Sequence, residues 1–137
     1  MYPQELTMPM TRDLTDFGFV SLTSADQVDD VMKNQEGTFL LVVNSVCGCA
    51  AANARPGAKI ALQNAKRPDA LFTVFAGVDR EATGRARDYL LPYPPSSPSI
   101  ALFKDGKLVH FLERHHIEGR SAQMIAQNLA TAFDAYC

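Results

Sequence analysis

Continuous apolar segments and amphipathic segments alternate along this chain. Thr38 to Val43 and Leu71 to Ala76 are unbroken apolar runs rich in β-branched and aromatic residues, a pattern typical of strands covered on both faces. A shorter apolar run, Phe17 to Val20, predicts an edge strand. The first long run is therefore predicted to be a central, parallel strand, with the second as another buried strand of the same sheet.

Two more apolar runs are separated by a turn sequence. Ile100–Phe103 and Leu108–Leu112 flank Lys104-Asp105-Gly106-Lys107, and Asp-Gly is among the strongest short signals for a type I′ hairpin turn. The sheet is therefore predicted to end in an antiparallel pair of strands. A loop precedes this pair, enforced by Pro94, Pro95 and Pro98.

A segment predicted to be helical follows each of the first two predicted strands. The sequence Ser24-x-x-Gln27 resembles a capping box and opens a helix whose apolar face contains Val28, Val31 and Met32. Good helix formers then extend from Cys49 or Ala50 to about Lys66. Because Pro56-Gly57 falls inside this second segment, a kink is expected there.

Two further helices are predicted in the second half of the chain. Arg80 to Leu91 forms one of them and ends before Pro92. A final amphipathic helix begins beyond Gly119, and its apolar stripe is predicted to consist of Met124, Ile125, Leu129, Phe133 and Tyr136.

These elements follow the order βαβαβαββα, which predicts an α/β fold with a central mixed β-sheet flanked by helices. A length of 137 residues with 47% hydrophobic and 20% charged content suits one globular domain with its own core. We therefore expect a single domain over residues 1–137, with residues 1–16 as an N-terminal leader packed on or near it.

The charge pattern excludes several classes of partner. The formal net charge is -2, and no stripe of lysine and arginine stands out, so nucleic acid is not an expected partner. No apolar run approaches the roughly 20 residues of a membrane-spanning helix, so no membrane partner is expected. The N-terminus also lacks the basic and apolar regions of a secretory signal. We therefore expect a cytoplasmic protein.

Two thiols separated by one glycine, Cys47-Gly48-Cys49, stand between the predicted central strand and the following helix. A helix N-terminus stabilises a nearby thiolate and lowers its pKa, so Cys47 is the expected nucleophile and Cys49 the resolving thiol. A disulfide across one residue closes a small ring, which predicts a strained and oxidising pair. Gly48 is the residue type that best tolerates such a ring.

Other uses of these thiols stay open at this point. Free cysteines are often buried as small apolar residues. A zinc or copper(I) site could draw its ligands from Cys47, Cys49, Cys137, His115 and His116, although paired Cys-x-x-Cys spacing is absent. Redox chemistry is favoured because both thiols bracket a glycine at a strand-to-helix junction, so no bound metal or cofactor is expected. Cys137, the last residue, is expected to be inert.

The element order, with thiols where the second strand meets the second helix, resembles that of thioredoxin. The segment from Ser97-Pro98 to Asp105-Gly106 is similar to the cis-proline segment of thioredoxins, which passes beside the active-site disulfide. The resemblance implies a cis peptide bond between Ser97 and Pro98. Thioredoxins carry Cys-x-x-Cys, whereas this chain has one residue between its thiols.

Longer segments resemble the bacilliredoxin family over nearly the whole chain. They are Val43 to Gly57, which contains the thiols, and Phe75 to Asp79, Leu91 to Pro98 and Phe111 to Arg120. The resemblance implies a thioredoxin-fold enzyme that removes bacillithiol from S-bacillithiolated client proteins. Cys47 would take bacillithiol onto itself, and either Cys49 or a second bacillithiol would release it.

This implied activity needs bacillithiol as a thiol co-substrate, client proteins and a recycling reductase as partners. A general thiol-disulfide oxidoreductase or isomerase acting on protein disulfides is the alternative within the same chemistry. A non-catalytic thioredoxin-like interaction domain is a third hypothesis. The sequence leaves these alternatives open.

Asn53, Arg55 and Ser97 are candidates for substrate contact. Arg55 could pair with a carboxylate of bacillithiol, although solvated helix positions are the commoner explanation for Asn53 and Arg55. The run Glu113 to His116 follows the hairpin at an end of the strand that need not lie near the thiols. We therefore expect a structural ion-pair and hydrogen-bonding role for it.

Overall fold

A five-stranded mixed β-sheet forms the centre of the computed structural model, which describes residues 2–137. The strands, in chain order, are β1 (Val20–Ser21), β2 (Thr38–Asn44), β3 (Ala70–Phe75), β4 (Ser99–Lys104) and β5 (Lys107–Leu112). Their spatial order is β1-β3-β2-β4-β5. Strands β1, β2 and β3 are parallel, and β4 runs antiparallel to both β2 and β5.

Within residues 2–137, six α-helices surround the sheet. They are α1 (Gln4–Thr15), α2 (Ala25–Asn34), α3 (Arg55–Ala61), α4 (Arg80–Asp88), α5 (Arg114–Ile117) and α6 (Ala122–Tyr136), and a π-helical turn at Ala50–Ala54 precedes α3. None of the helices within residues 2–137 combines the length and apolarity needed to cross a lipid bilayer. The predicted α/β class, with a mixed sheet flanked by helices, is confirmed.

Strand β2 is buried along its whole length and separates two hydrophobic cores. Leu40 and Val42 face the core shared with α1, α3 and α6. Phe39, Leu41 and Val43 face the opposite core, shared with α2 and α4. Alternate residues of β2 thus pack into two different hydrophobic cores. Because both faces of the strand are buried, apolar and polar residues do not alternate along it.

The hairpin between β4 and β5 has the predicted turn. Asp105 and Gly106 have φ angles of 50° and 78°, and positive values at both central positions define the type I′ turn. The hairpin prediction is therefore confirmed.

The ends of the chain differ from the sequence-based expectations. Most of the predicted leader forms helix α1, whose Leu14 is fully buried, while Met1 lies outside the described residues. Strand β1 starts three residues later than predicted. On α6, Met124 and Tyr136 are exposed, and the buried stripe consists of Ile125, Ala126, Leu129, Ala132 and Phe133. The small alanines of this stripe carry too weak a hydrophobic signal to be singled out.

Gly57 lets α3 approach α6 closely. A Cβ added at Gly57 would lie 2.7 Å from Ile125 Cγ2 and 3.1 Å from the backbone oxygen of Ala122. Because a backbone atom cannot move aside like a flexible side chain, Gly57→Ala is expected to lower the free energy of unfolding by about 1–3 kcal/mol. Urea denaturation of the reduced protein measures this change.

Gly84→Ala in α4 is the matched control. A Cβ at Gly84 would meet nothing within 4 Å, so the substitution is expected to raise the free energy of unfolding by about 0.5–1 kcal/mol. Equal effects of the two substitutions would contradict the close contact between α3 and α6.

Candidate active site

Three strand ends meet at one end of the sheet and bring the thiols together with distant parts of the chain. Strand β2 ends at Asn44 and leads into the thiol segment. Its Val43 pairs with Ser99 at the start of β4, and Ile100 of β4 pairs with Leu112 at the end of β5. The segment before β4 and the residues after β5 therefore lie beside the segment that carries Cys47.

Cys47 directly precedes Gly48 and Cys49, the first helical residues after β2, which lead into the π-helical turn at Ala50–Ala54. Its carbonyl oxygen accepts hydrogen bonds from the N–H groups of Ala50 at 3.1 Å and Ala51 at 3.4 Å. Its own N–H donates to Ser45 Oγ at 3.1 Å. A side chain at such a position can accept hydrogen bonds from the unpaired N–H groups of the first helical turn. Here that side chain is a thiol.

This environment favours the thiolate of Cys47. Partial burial would raise the pKa of Cys47, but hydrogen bonds from Ser45 and from the backbone of Ala50 and Cys49, together with the charge of Arg114, outweigh burial and lower it. The thiolate is the nucleophilic form of cysteine. The direction of this shift favours the thiolate at Cys47.

Cys49 is shifted in the opposite direction. Burial, the negative charge of the Cys47 thiolate and a hydrogen bond to that thiolate raise the pKa of Cys49, and Glu118 adds to this effect. Cys49 therefore keeps its proton while Cys47 is charged. Both residues are partly exposed free thiols, so the pair combines one reactive thiolate with one protonated neighbour.

Gly48 separates the two thiols, and Ser97 and Pro98 precede Ser99, which pairs with Val43 of β2. The Ser97–Pro98 peptide bond is cis, the geometry that the thioredoxin resemblance implies, and Leu91–Pro92 is a second cis bond that was not predicted. Ser97 is partly exposed and Pro98 is buried. Gly48 is exposed, has no positive φ, and would accept a Cβ without contact. In the free-thiol state, glycine is not required at position 48, so its expected role concerns the disulfide.

A π-helical turn replaces the kink expected at Pro56-Gly57. Pro56 has no N–H to donate, and its ring would clash with the carbonyl of Ala52 in a regular helix. The chain widens one turn earlier, where the N–H of Arg55 donates to the carbonyl of Ala50. Such a turn contains one extra residue and changes which later side chains face the sheet.

The expectation that Arg55 is a solvated helix residue is wrong. Arg55 is 5% exposed and its guanidinium is committed to internal partners. It pairs with Asp13 Oδ2 at 2.9 Å and donates to Asn44 Oδ1 at 2.9 Å and to the Ser45 carbonyl at 3.2 Å. Arg55 therefore supports the segment that carries Cys47 and is not available to a substrate carboxylate.

The network around Arg55 also fixes helix α1. The side-chain amide of Asn44 donates to the carbonyl of Met10 at 3.1 Å, and its Oδ1 accepts the N–H of Ser45 at 2.9 Å. Asp13 is held by both Arg55 and Lys59. The N-terminal helix is thus tied by polar contacts to the residues immediately before the thiols.

Asn53 is partly buried and contacts another part of the protein. Its side-chain amide donates to the carbonyl of Arg120, which follows α5. The expectation of a solvated Asn53 is therefore corrected, because this hydrogen bond joins the π-helical turn to the segment after β5. The amide holds those two segments together beside the thiols.

The segment after β5 lies near the thiols, contrary to the expectation for Glu113 to His116. The N–H of Arg114 donates to Ser96 Oγ at 3.3 Å, and its Nη1 donates to the Ser97 carbonyl at 3.2 Å. The charge of Arg114 acts on both Cys47 and Cys49. Arg114 was missed because its proximity to the thiols depends on how β4 pairs with β5. The Asp105-Gly106 turn signal predicts that pairing and could have been used to place Arg114 near Pro98.

The proposed five-residue metal site is not assembled. Cys137 is an exposed residue that lies near Thr38, at the opposite end of β2 from Cys47. That strand has seven residues, which corresponds to about 20 Å. Within residues 2–137, the cluster of three metal-ligating groups contains Glu113, His115 and His116 and no cysteine. The zinc or copper(I) ligand set therefore does not form as predicted.

Comparisons with known proteins agree with this geometry. Residues 2–137 match a protein-family model described as Disulphide isomerase. A bacilliredoxin from Cytophaga hutchinsonii is 58% identical over 134 residues, 98% of each chain. A bacilliredoxin from Halalkalibacterium halodurans is 49% identical over 136 residues, which cover 99% of this chain and 94% of the relative.

Solved structures show the same fold. The oxidized mitochondrial thioredoxin 3 from Saccharomyces cerevisiae superposes with a TM-score of 0.59 at 18% identity, covering 90% of this chain and 98% of that chain. A mutant thioredoxin from Halobacterium salinarum gives 0.59 at 16% identity, covering 88% and 91%. The fold and the thiol pair thus define a thiol-disulfide oxidoreductase with a thioredoxin fold. The chain belongs to the bacilliredoxin family.

The hydrogen bond from Ser45 gives a first prediction for this site. Ser45→Ala removes a donor to the Cys47 thiolate, so the pH profile of Cys47 alkylation is expected to move to higher pH. At pH 7 the alkylation rate should fall by about three- to tenfold, which corresponds to about 0.7–1.4 kcal/mol, the usual net contribution of one hydrogen bond. Peptide mass spectrometry after timed iodoacetamide exposure measures it, with Cys137 as the internal control. An unchanged Cys47 profile would show that Ser45 does not stabilise the thiolate.

The ion pair between Asp13 and Arg55 gives a second prediction for this site. Burial raises the pKa of Asp13, but hydrogen bonds and charge from Lys59 and Arg55 outweigh it and lower the pKa. Asp13→Asn leaves the buried guanidinium of Arg55 without its counter-charge and is expected to lower the free energy of unfolding by about 1–3 kcal/mol at pH 7.

The effect of Asp13 should depend on pH with a defined sign. Because the folded state lowers its pKa, the stabilisation is complete above the ordinary carboxyl pKa of about 4 and is lost as pH falls below it. The difference between wild type and Asp13→Asn should therefore shrink below pH 4 in urea titrations. Asp16→Asn, at an exposed position just after α1, is the control and should change stability by less than about 0.5 kcal/mol. A constant Asp13 difference across this pH range would refute the ion-pair account.

Proposed function

We propose that this protein removes bacillithiol from S-bacillithiolated client proteins in the cytoplasm, with Cys47 as nucleophile and Cys49 as resolving thiol. The observation that carries this proposal is the pair of partly exposed free thiols between β2 and the following helical segment, and the pKa directions, lowered at Cys47 and raised at Cys49, support it. The lowered pKa favours the attacking thiolate at Cys47, and the raised pKa favours the protonated form of Cys49. Membership of the bacilliredoxin family supports the choice of bacillithiol.

The first step is a thiol-disulfide exchange. The Cys47 thiolate attacks the bacillithiol sulfur of the mixed disulfide and forms a new S–S bond. The bond between bacillithiol and the client breaks, and the client sulfur leaves with the electron pair as a thiolate that takes a proton from solvent. The client is reduced, and bacillithiol is now attached to Cys47.

The second step depends on the loss of charge at Cys47. Once Cys47 is in a disulfide, the negative charge that helped to raise the pKa of Cys49 is gone. Cys49 can then lose its proton and attack the Cys47 sulfur, which forms the Cys47–Cys49 disulfide and expels bacillithiol as a thiolate. In the alternative route, a second bacillithiol attacks the bacillithiol sulfur, so bacillithiol disulfide leaves and the Cys47 thiolate is restored.

Bacillithiol acts as co-substrate in this scheme, and the protein works without a bound cofactor. A recycling reductase returns the electrons, either to the Cys47–Cys49 disulfide or to bacillithiol disulfide. Client proteins dock with their modified cysteine at the end of the sheet where β2, β4 and β5 meet. Gly48 keeps the backbone between the two thiols free to adopt the disulfide conformation.

Exchange on ordinary protein disulfides is the second candidate function. The matching family description, Disulphide isomerase, favours it. The same Cys47 thiolate would attack a protein disulfide, and Cys49 would release the mixed disulfide. The two functions differ in substrate and share their chemistry.

Release of bacillithiol from a modified client tests the assignment of the two cysteines. Reduced protein is mixed with a bacillithiolated client, and intact mass spectrometry follows both proteins. Cys47→Ala should lower client release to the rate seen without enzyme, because the nucleophile is missing. Cys49→Ala should still release the client once and accumulate enzyme with one bacillithiol attached.

Cys137→Ala is the matched control and should release the client like wild type, since its thiol lies at the far end of β2. Release by Cys47→Ala at the wild-type rate would show that Cys47 is not the nucleophile. Rapid reaction with protein disulfides and none with the bacillithiolated client would select the second candidate function.

A further inference from the structure

We propose that Arg114 is the anion-binding residue of the site and contacts a carboxylate of bacillithiol while its sulfur is exchanged at Cys47. This inference rests on the proposed function and adds a specificity-determining residue to it. It replaces the contact that the sequence suggested for Arg55, whose guanidinium is buried and already bound to Asp13, Asn44 and Ser45.

Strand register places Arg114 beside the thiol segment. Val43 pairs with Ser99 and Ile100 pairs with Leu112. Ser97 and Pro98 come directly before Ser99, and Arg114 follows Leu112 by two residues, so both segments leave the sheet at the end where Val43 lies. The position of Arg114 at this end of the sheet therefore follows from the backbone pairing.

Two hydrogen bonds hold Arg114 against the cis-proline segment. Its N–H donates to Ser96 Oγ at 3.3 Å, and its Nη1 donates to the carbonyl of Ser97 at 3.2 Å. Ser97 precedes the cis bond to Pro98. The guanidinium is thus oriented before any substrate arrives, which lowers the entropic cost of binding.

The guanidinium of Arg114 has further N–H groups that can donate hydrogen bonds to a ligand. Arginine has five N–H donors in a planar fork that matches a carboxylate. One Nη1 hydrogen bond goes to Ser97, and Nη2 makes a long contact of 3.5 Å to Glu118 Oε1. The side chains of Arg114 and Glu118 are 41% and 55% exposed. A substrate carboxylate can therefore reach Arg114 from solvent and compete with a weakly held surface partner.

Exchange at Cys47 itself makes Arg114 available. In the reduced protein the charge of Arg114 lowers the pKa of Cys47, and the thiolate in turn raises the pKa of Arg114. When Cys47 forms the mixed disulfide, it loses its negative charge. The carboxylate of the newly attached bacillithiol then supplies the anion that Arg114 has lost.

A comparison of charged and neutral adducts tests this inference. One client protein is prepared with either bacillithiol or 2-mercaptoethanol attached to the same cysteine, and kcat/KM for client release is measured for both. The ratio of the two values cancels changes in Cys47 reactivity, since nucleophile and leaving client are identical. Arg114→Gln should lower this ratio about tenfold, whereas Arg114→Lys should restore part of it.

Arg120→Gln is the matched control, because it removes an exposed arginine from the same segment, and its ratio should stay within about twofold of wild type. Raised salt should lower the wild-type ratio and leave that of Arg114→Gln unchanged, since screening acts on the ionic contact. If a variant folds poorly, a wild-type ratio that does not fall with raised salt still overturns this inference.

The outcomes separate this inference from the proposed function. If wild type releases bacillithiol efficiently and the ratio is the same in wild type and Arg114→Gln, Arg114 does not bind the carboxylate and only this inference fails. If wild type releases neither adduct, the proposed function fails and this inference with it. A salt-dependent ratio that disappears in Arg114→Gln supports both.

Discussion

The N–H groups at the start of the helix after β2 need hydrogen-bond acceptors, and the sulfur of Cys47 lies where an acceptor is required. A helix leaves its first N–H groups without partners inside the helix. Here the Ala50 N–H donates to the Cys47 carbonyl oxygen, and the backbone of Cys49 and Ala50 lowers the pKa of the Cys47 thiol. The same contacts that cap the helix lower the pKa of the nucleophile, so the start of this helix and the reactivity of Cys47 have one physical cause.

This arrangement depends on the buried guanidinium of Arg55. Arg55 holds Asn44 and the Ser45 carbonyl, while the Ser45 side chain contacts Cys47. The π-helical turn directs Arg55 inward, and Asp13 on α1 supplies its counter-charge. A helix that the sequence suggested only as a leader thereby supports the thiols. Replacing Arg55 by a neutral residue would remove one hydrogen-bond donor from each of Asp13, the Asn44 side-chain oxygen and the Ser45 carbonyl.

Sequence patterns were sufficient for the elements whose formation depends on neighbouring residues. The buried strand β2, the Asp105-Gly106 hairpin and the helix after Ser24 follow from local apolar runs and turn chemistry. Helix α1 was not recognised because Pro9 lies inside it and its stabilising partners, Arg55 and Lys59, are far away in sequence. Arg114 was assigned a structural role because only strand register brings it to the thiols. The residues that were misjudged share a dependence on long-range contacts, and they surround the candidate site.

The central claim is that the surroundings give the two thiols opposite pKa displacements, which makes Cys47 the nucleophile. Its most direct measurement is an NMR titration of the reduced protein labelled with ¹³C at the cysteine Cβ atoms, with assignments from single Cys→Ser variants. The account predicts that Cys47 titrates first, at a pKa below that of an unperturbed cysteine thiol, and that Cys49 titrates above it. Loss of the first proton from Cys49, or titration of both thiols at the ordinary value, would contradict it.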